Sequence, residues 1–441
     1  MKLEKLYSLF LENPKISTDT RKITEGSIFF ALKGDNFNGN KYAEEALEKG
    51  ASYAIIDEEK YRKSDNFIIV DDVLKALQDL ATYHRSQLTI PVIGLTGSNG
   101  KTTTKELIRA VLSQKHNCLA TVGNLNNHIG VPLTILSITK EHEIAIIEMG
   151  ANHVGEIESL CRIALPNFGL ITNIGRAHIG EFGGFDNIIK AKTELYKTML
   201  QSNKHLIFDS SEEQNDDRVI FVNGDDMLLM DKSDGRKRHT YGSKSMYDTE
   251  GVYHSQDPFL NVSWESKDIL IKTQLIGKYN TDNILAAVAI GEHFNVSDNM
   301  IKEALENYTP TNNRSQIQKT AKNTLIMDAY NANPSSVEVA IENLLTMEAN
   351  KKFFILGDML ELGEESEKEH ICIYNLIKDN NLNGIFVGPE FQKAFKEKEG
   401  LKSFASTKEA IDEISKMELS DLLILLKGSR GMRLETICPA L

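Results

Sequence analysis

"GLTGSNGKTTTKELI", residues 94–108, decides the reading of this chain, because it passes from an apolar run through a cluster of Gly, Ser and Asn into a helix. Leu107, Ile108, Val111 and Leu112 recur at helical spacing and form the stripe by which that helix is buried. Gly100, Lys101, Thr102 and Thr103 therefore fall at its N-terminus, where backbone amides and the helix dipole favour an anion. Phosphate is the natural guest. The common phosphate loop, G-x-x-x-x-G-K-[ST], has a glycine five positions before its second one; here Leu95 stands there and Gly97 is the nearer glycine, so the match is a shortened variant. In this reading Gly97, Ser98, Asn99 and Gly100 let the backbone approach phosphate oxygens, Lys101 supplies a mobile cation, and the Thr102 hydroxyl can ligate Mg²⁺. An ordinary glycine-rich turn with an exposed lysine is the alternative, and the order strand, turn, helix weighs against it.

Working outward, the 441 residues exceed what one hydrophobic core organises, and three regions emerge. The first, 1–88, has strand-like runs at 27–32, 53–56 and 67–70, a helical stretch at 40–49, and a closing helix at 71–87 with Val73, Leu74, Leu77, Leu80 and Ala81 at helical spacing. The second, 89–309, opens at Pro91 and alternates strands at 143–149, 168–172 and 205–209 with helices, an order that implies parallel strands joined by crossovers. From about 240 it turns hairpin-like up to 269–277, before a helix at 281–294; the acidic, polar stretch 209–238 reads as a solvated surface insertion. The third, 310–441, alternates again, with strands at 324–328, 352–358, 384–388 and 422–429. The fold class is α/β in three domains: a small α/β domain, a central parallel-sheet domain carrying the phosphate loop, and a Rossmann-like C-terminal domain.

A formal net charge of -13 removes the diffuse positive field that nonspecific nucleic-acid binding uses, so anionic ligands must be caught by local lysines, arginines and amides. No apolar run approaches the ~20 residues that cross a bilayer. Acidic residues interrupt the apolar part of MKLEKLYSLFLENPK, which does not read as a secretory signal. A cytoplasmic location is expected, with neither nucleic acid nor membrane as partner. Cys118, Cys161, Cys372 and Cys438 are scattered too widely for a zinc site or a disulfide scaffold and read as reduced thiols.

GSNGKTT (97–103), in a three-region α/β chain, resembles the ATP site of the Mur ligases, which build the peptide stem of bacterial peptidoglycan. Further segments, in family order, resemble the branch that adds D-alanyl-D-alanine: TVGNLNNHIGVPLTIL (121–136), IEMGANHVGEI (147–157), TNIGRAHIGEFG (172–183), DAYNANPSS (328–336), LGDMLELGEESEKEH (356–370) and LLKGSRGMRLE (425–435). The last three are the most specific, since the sister ligases carry different residues there. The resemblance implies a monomeric, ATP-dependent amide-bond ligase that joins D-alanyl-D-alanine to UDP-N-acetylmuramoyl-tripeptide through an acyl phosphate, using ATP and two Mg²⁺ ions. Other Mur ligases and folylpolyglutamate synthetases share the phosphate loop and the lysine region but lack LGDMLELG and DAYNANP. A P-loop kinase or a nucleotide-gated binding module needs only the first motif.

Glu148, at the C-terminal end of a strand, projects where open α/β sheets bind ligands, and a carboxylate there suits Mg²⁺. By resemblance His178, in a glycine-rich loop, binds a second Mg²⁺, and a carbamate on Lys192 turns its amine into an oxygen ligand. Lys192 is preferred over Lys190 because it stands four residues before the aromatic Tyr196. Lys101, Lys192 and His178 form the implied catalytic set. The resemblance also places Asn280 and Asn283 at the adenine, Arg314 at the γ-phosphate and Asp328 at the ribose. The segment 17–47 resembles the family's UDP-binding domain, with Thr20 and Arg21 in the place of its Ser-Arg pair and Asn38-Gly39-Asn40 where Asp-Gly-His is usual. Thr121, Asn126 and Asn127 are expected on the nascent peptide. Tyr330, Asn331, Asn333 and Ser336, with Lys427, Ser429 and Arg430, are expected on the dipeptide, whose carboxylate needs charged or hydroxyl donors. Each of these has a plainer structural reading: a capping glutamate, a core histidine, solvated helix lysines, turn-forming Asn-Pro.

Overall fold

The computed structural model describes residues 1–200, 218–311, 314–395 and 402–441. The first region builds a parallel sheet in the order Ile16–Ser17, Ile28–Phe30, Tyr53–Ile56, Phe67–Ile69. Its closing helix, Val73–Ser86, turns Leu77, Leu80 and Ala81 inward, into one apolar cluster with residues of the central helices Gly130–Leu136 and Glu156–Ala164. Arg85 locks that junction. Its buried guanidinium donates to Ala164 O (2.9 Å), Leu165 O (3.1 Å), Leu88 O (2.9 Å) and Asn167 Oδ1 (2.9 Å).

The central sheet has seven strands, all parallel, in the order Thr249–Glu250, Arg238–Gly242, Val219–Asn223, Phe168–Ile171, Val92–Thr96, Ile144–Glu148, Cys118–Ala120. Every residue of Val92–Thr96 and Ile144–Glu148 is buried, because helices cover both faces, which is why these strands read as unbroken apolar runs. The chain leaves Val92–Thr96 towards one side of the sheet and later returns to its other side. That switch point opens a crevice at the strand's carboxyl end, where residues 97–100 lie.

The surface insertion expected at 209–238 is corrected where it is described. Val219–Asn223 is a wholly buried strand inside the sheet, followed by the helix Met227–Lys232 and the strand Arg238–Gly242. The apolar run VIFV (219–222) is too short to outweigh its charged flanks in a broad compositional reading. The strand expected at 205–209 lies outside the described residues. The hairpin expected from 240 is realised later, as the antiparallel sheet Val252–Gln256, Leu260–Trp264, Ile269–Lys272.

The third region is a six-stranded sheet, Gln316–Lys319, Thr324–Asp328, Leu423–Lys427, Lys352–Gly357, Asn383–Val387, Lys402–Phe404, parallel except for the first, antiparallel pair. The carboxyl ends of Thr324–Asp328 and Leu423–Lys427 supply cavity residues Asp328 and Lys427 opposite the phosphate loop.

Candidate active site

A cavity of about 950 Å³ lies between the central and third regions. Ser98 to Thr103 form one wall, and Asp328, Tyr330, Asn331, Asn333, Ser336 and Lys427 form the facing one. The loop can take its course only with glycine at two positions: a Cβ on Gly97 would sit 2.0 Å from Thr172 Oγ1, and one on Gly100 2.8 Å from Asn283 Oδ1. Lys101 opens the helix Lys101–Leu112 and folds back, donating to Gly97 O (2.6 Å) and Ser98 O (3.0 Å). Burial, only partly offset by Glu148, brings its pKa down to about 8. Such an ammonium lacks solvent and gains from an anionic guest. Arg314 lies across the site with its guanidinium 4.0 Å from the Tyr330 ring centroid and its buried Nε without a hydrogen-bond partner. A buried donor left open beside a phosphate loop fits a phosphate oxygen.

Glu148 ends its strand almost fully buried, and its carboxylate accepts from Thr102 Oγ1 (3.2 and 3.0 Å) and Asn126 Nδ2 (2.9 Å). Beneath it lies Lys105, which the sequence reading passed over. This wholly buried lysine donates to Thr121 O (2.6 Å) and stands 3.7 Å from Glu148 Oε2. The available signal was its spacing, one helical turn after Lys101. Among the described residues no cluster of three or more His, Cys, Asp or Glu could hold a metal. The Thr102–Glu148 pair nonetheless suits Mg²⁺, which binds through one or two carboxylates and takes its other oxygens from water and phosphate.

Lys192 is buried behind the cavity wall, its Nζ donating only to Ala151 O at 3.3 Å and lying 5.3 Å from the Phe182 ring centroid. Burial first, and the Lys101 charge second, pull its pKa down to about 7. Lys190 is exposed. His178 lines the cavity and pairs through Nδ1 with Glu361 of the third region at 2.7 Å. Asn280 and Asn283 also line it, yet their amides are largely engaged: Asn283 accepts from Thr104 Oγ1 (2.9 Å) and donates to Asn280 Oδ1 (2.8 Å), and Asn280 donates to Ile276 O (2.7 Å). The pair braces Gly100 from behind.

The two regions touch directly around the cavity. Asn333, the N-cap of the helix Pro334–Thr346, donates to Asn99 Oδ1 at 2.8 Å. Arg176 spans the gap with ion pairs to Glu338 (2.7 Å) and to buried Glu369 (3.1 Å), while its amide donates to Ser335 Oγ (3.1 Å). Asp328, expected at the ribose, and Lys427, expected at the dipeptide, both line the cavity and meet each other at 2.7 Å.

Seven expected site residues do not line the cavity, Gly97 and Lys192 among them. Thr121 is buried and its hydroxyl accepts from Glu148 N (2.9 Å), so it serves the strand end. Ser429 is buried with Oγ accepting from Leu360 N (2.9 Å), and Arg430 points outward to Glu435 (2.8 Å). Thr20 and Arg21 sit in a turn of the first region, where the exposed Arg21 donates through Nε and Nη2 to Asp19. Gln78 alone represents that region in the cavity wall. Asn126 and Asn127 do line it.

A nucleotide-phosphate loop at a sheet switch point, faced across a cavity by a second α/β domain, is an arrangement shared with a known class. Residues 15–85 match the Mur ligase family catalytic domain, 95–291 the Mur ligase middle domain and 313–430 the Mur ligase glutamate ligase domain. The chain belongs to the Mur ligase family of ATP-dependent ligases. Within that family it is similar to the UDP-N-acetylmuramoyl-tripeptide–D-alanyl-D-alanine ligase of Bacillus subtilis (strain 168), with 35% identity over 96% of this chain and 92% of the relative. It is also similar to the crystal structure of MurF from Acinetobacter baumannii, at 31% identity and a TM-score of 0.83 over 96% of this chain and 92% of that one. MurF ligase from Thermotoga maritima, solved in complex with ADP, superimposes with a TM-score of 0.82 at 26% identity, over 98% and 97% of the two chains.

Proposed function

We propose that this chain joins the terminal carboxylate of UDP-N-acetylmuramoyl-tripeptide to the amine of D-alanyl-D-alanine, cleaving ATP to ADP and phosphate, in peptidoglycan precursor synthesis. The observation that carries this reading is the single cavity walled by the phosphate loop on one side and the Asp328–Ser336 segment with Lys427 on the other. A tripeptide carboxylate is a poor electrophile, so it attacks the γ-phosphorus of ATP, ADP departs, and an acyl phosphate forms. The dipeptide amine then attacks the acyl carbon, and the tetrahedral intermediate collapses with loss of phosphate.

The protein's own part is positioning and charge compensation. Loop amides of residues 98–103, Lys101 and Arg314 hold the β- and γ-phosphates as negative charge moves towards the leaving ADP. Thr102 and Glu148 would hold one Mg²⁺, and His178 with a carbamate on Lys192 a second; bound there, these ions neutralise phosphate oxygens. Lys192 fits that modification, because an amine with a pKa of about 7 is half neutral at neutral pH and only the neutral amine adds CO₂, releasing one proton. Asn126 and Asn127 are assigned to the nascent peptide, and Tyr330, Asn331, Asn333 and Ser336 to the dipeptide. Thr20 and Arg21 stand at the surface of the first region, which is assigned to the UDP.

The test is phosphate release with the amide product followed by mass. Release is expected only when UDP-tripeptide and dipeptide are both present. Phosphate released without either substrate would indicate an ATPase, and ADP formed without free phosphate a kinase; either result would end the ligase reading. Running the assay with the lysine and the diaminopimelate tripeptide identifies the third stem residue.

A further inference from the structure

The phosphate loop is tied to the segment that follows the strand Phe168–Ile171. Asn99 N donates to Asn173 Oδ1 (3.0 Å), and Ser98 Oγ donates to Gly175 O and accepts from Gly175 N, both at 2.9 Å. The next residue, Arg176, reaches out of the central region. Its amide donates to Ser335 Oγ (3.1 Å), Nη2 to Glu338 (2.7 Å) and Nη1 to Glu369 (3.1 Å). Ser335 and Glu338 lie on the helix Pro334–Thr346, and Glu369 on the helix Ser366–Asp379. One residue thus fixes two helices of the third region against a segment that is hydrogen-bonded to the phosphate loop. Gly175 marks the crowded point: a Cβ there would stand 3.3 Å from Ser335 Oγ and 3.5 Å from Asn99 Nδ2.

The two acids are not equivalent. The Glu338 side chain is 35% exposed, and an ion pair so open to water adds little. The Glu369 side chain is 3% exposed, and its Oε2 has no hydrogen-bond partner among the described residues. A carboxylate stripped of water this far is tolerated while its cation is in place and becomes costly once the cation is removed. Its Oε1 faces Arg176 across the interface, so parting of the two regions lets water back to it. Arg176 itself does not line the cavity and acts through the residues it holds.

We propose that Arg176 is a positioning residue for the reaction: by neutralising Glu369 across the interface it holds the helix Pro334–Thr346, and with it the dipeptide segment, in register with the phosphate loop. The N-cap of that helix, Asn333, is the residue that meets Asn99 of the loop at 2.8 Å, so the register set by Arg176 reaches both walls of the cavity. Ligands on the two walls then favour the same docked arrangement, and each tightens the other. Without Arg176 the docked arrangement strands the Glu369 carboxylate, and the regions part to rehydrate it. The consequence for the dipeptide rests on the ligase reading above; the docking of the two regions does not.

The test uses the full chain and calorimetric titration of D-alanyl-D-alanine, first into the free protein and then into protein saturated with a non-hydrolysable ATP analogue and UDP-tripeptide. In the wild type the second titration should be tighter by about 5–150-fold, the usual range of such coupling. Arg176→Met should keep the first affinity, because every residue assigned to the dipeptide belongs to the third region, and lose most of the tightening. In ligation assays it should raise KM for the dipeptide about tenfold, by more than it lowers kcat. Adding Glu369→Gln to Arg176→Met removes the stranded charge and should restore part of the tightening. Glu338→Gln should change it by less than about twofold. Arg176→Lys should be intermediate, since an ammonium lacks the fork that meets two acids at once. With both ligands present, small-angle scattering should give Arg176→Met a larger radius of gyration than the wild type. Unchanged tightening in Arg176→Met, loss of its first affinity, or a Glu369→Gln change that deepens the defect overturns the proposal. A wild type that forms no amide overturns the ligase reading alone, and the scattering comparison then decides the docking.

Discussion

Replacing Lys192 by methionine should stabilise the central region and abolish ligation. Burial and the Lys101 charge lower the amine's pKa from 10.5 to about 7, so between those values the folded state binds fewer protons than the unfolded one. The cost of enclosing the amine is then fully present below pH 7 and fades as the pH rises to 10.5. At 1.36 kcal/mol per pKa unit it comes to about 5 kcal/mol at pH 6 and about 2 kcal/mol at pH 9. Methionine has a similar length and no charge, so Lys192→Met should raise the melting midpoint by ~10 °C at pH 6, taking ~2 °C per kcal/mol, with the difference vanishing near pH 10. The assay is thermal unfolding in CO₂-free buffers from pH 6 to 10, followed by fluorescence of Trp264, the single tryptophan, buried in the core that includes Ile93, Leu95 and Leu107. Added bicarbonate should narrow the gap, since a carbamate removes the ammonium. A Lys192→Met protein no more stable than the wild type at pH 6 would mean that the amine is solvated, and the argument for its carbamylation would fall with it.

Lys101→Ala should abolish ligation while UDP-tripeptide affinity, measured by calorimetry, stays nearly intact; equal loss of both would show that the lysine does not serve the nucleotide alone. Glu148→Ala should regain part of its activity at high Mg²⁺ in a titration of rate against metal, because it weakens a metal site without removing a reacting group. ATP analogue and UDP-tripeptide together should tighten dipeptide binding by about 1–3 kcal/mol, and Arg314→Ala should erase most of that coupling in calorimetric titrations. Lys105→Met should cost about 1–3 kcal/mol in denaturant unfolding, since it leaves the buried Thr121 carbonyl without its donor.

The strands at 92–96, 144–148 and 324–328, and the helix after the phosphate loop, were legible in the sequence because local periodicity governs them. So were Lys101, Thr102 and Glu148, whose positions at a helix start and a strand end follow from that same periodicity. Lys192 was singled out by resemblance through its spacing from Tyr196, and the desolvation that lowers its pKa belongs to the packed state. Val219–Asn223 was missed because four apolar residues between polar and charged flanks look like surface until a sheet closes over them. Thr121 and Ser429 looked like ligand donors, but tertiary packing turned their hydroxyls to the backbone amides of Glu148 and Leu360. Arg176 and Glu369 stand 193 residues apart in the chain, and no pattern within either segment names the other. By itself the sequence determined the strand, glycine-rich turn and helix around residues 92–112, since those depend on neighbours within one helical turn or one strand. Which side chains face the cavity, which are stripped of water, and how Arg176 meets the third region were decided by long-range packing, because desolvation and ion-pair geometry exist only once separate domains share an interface.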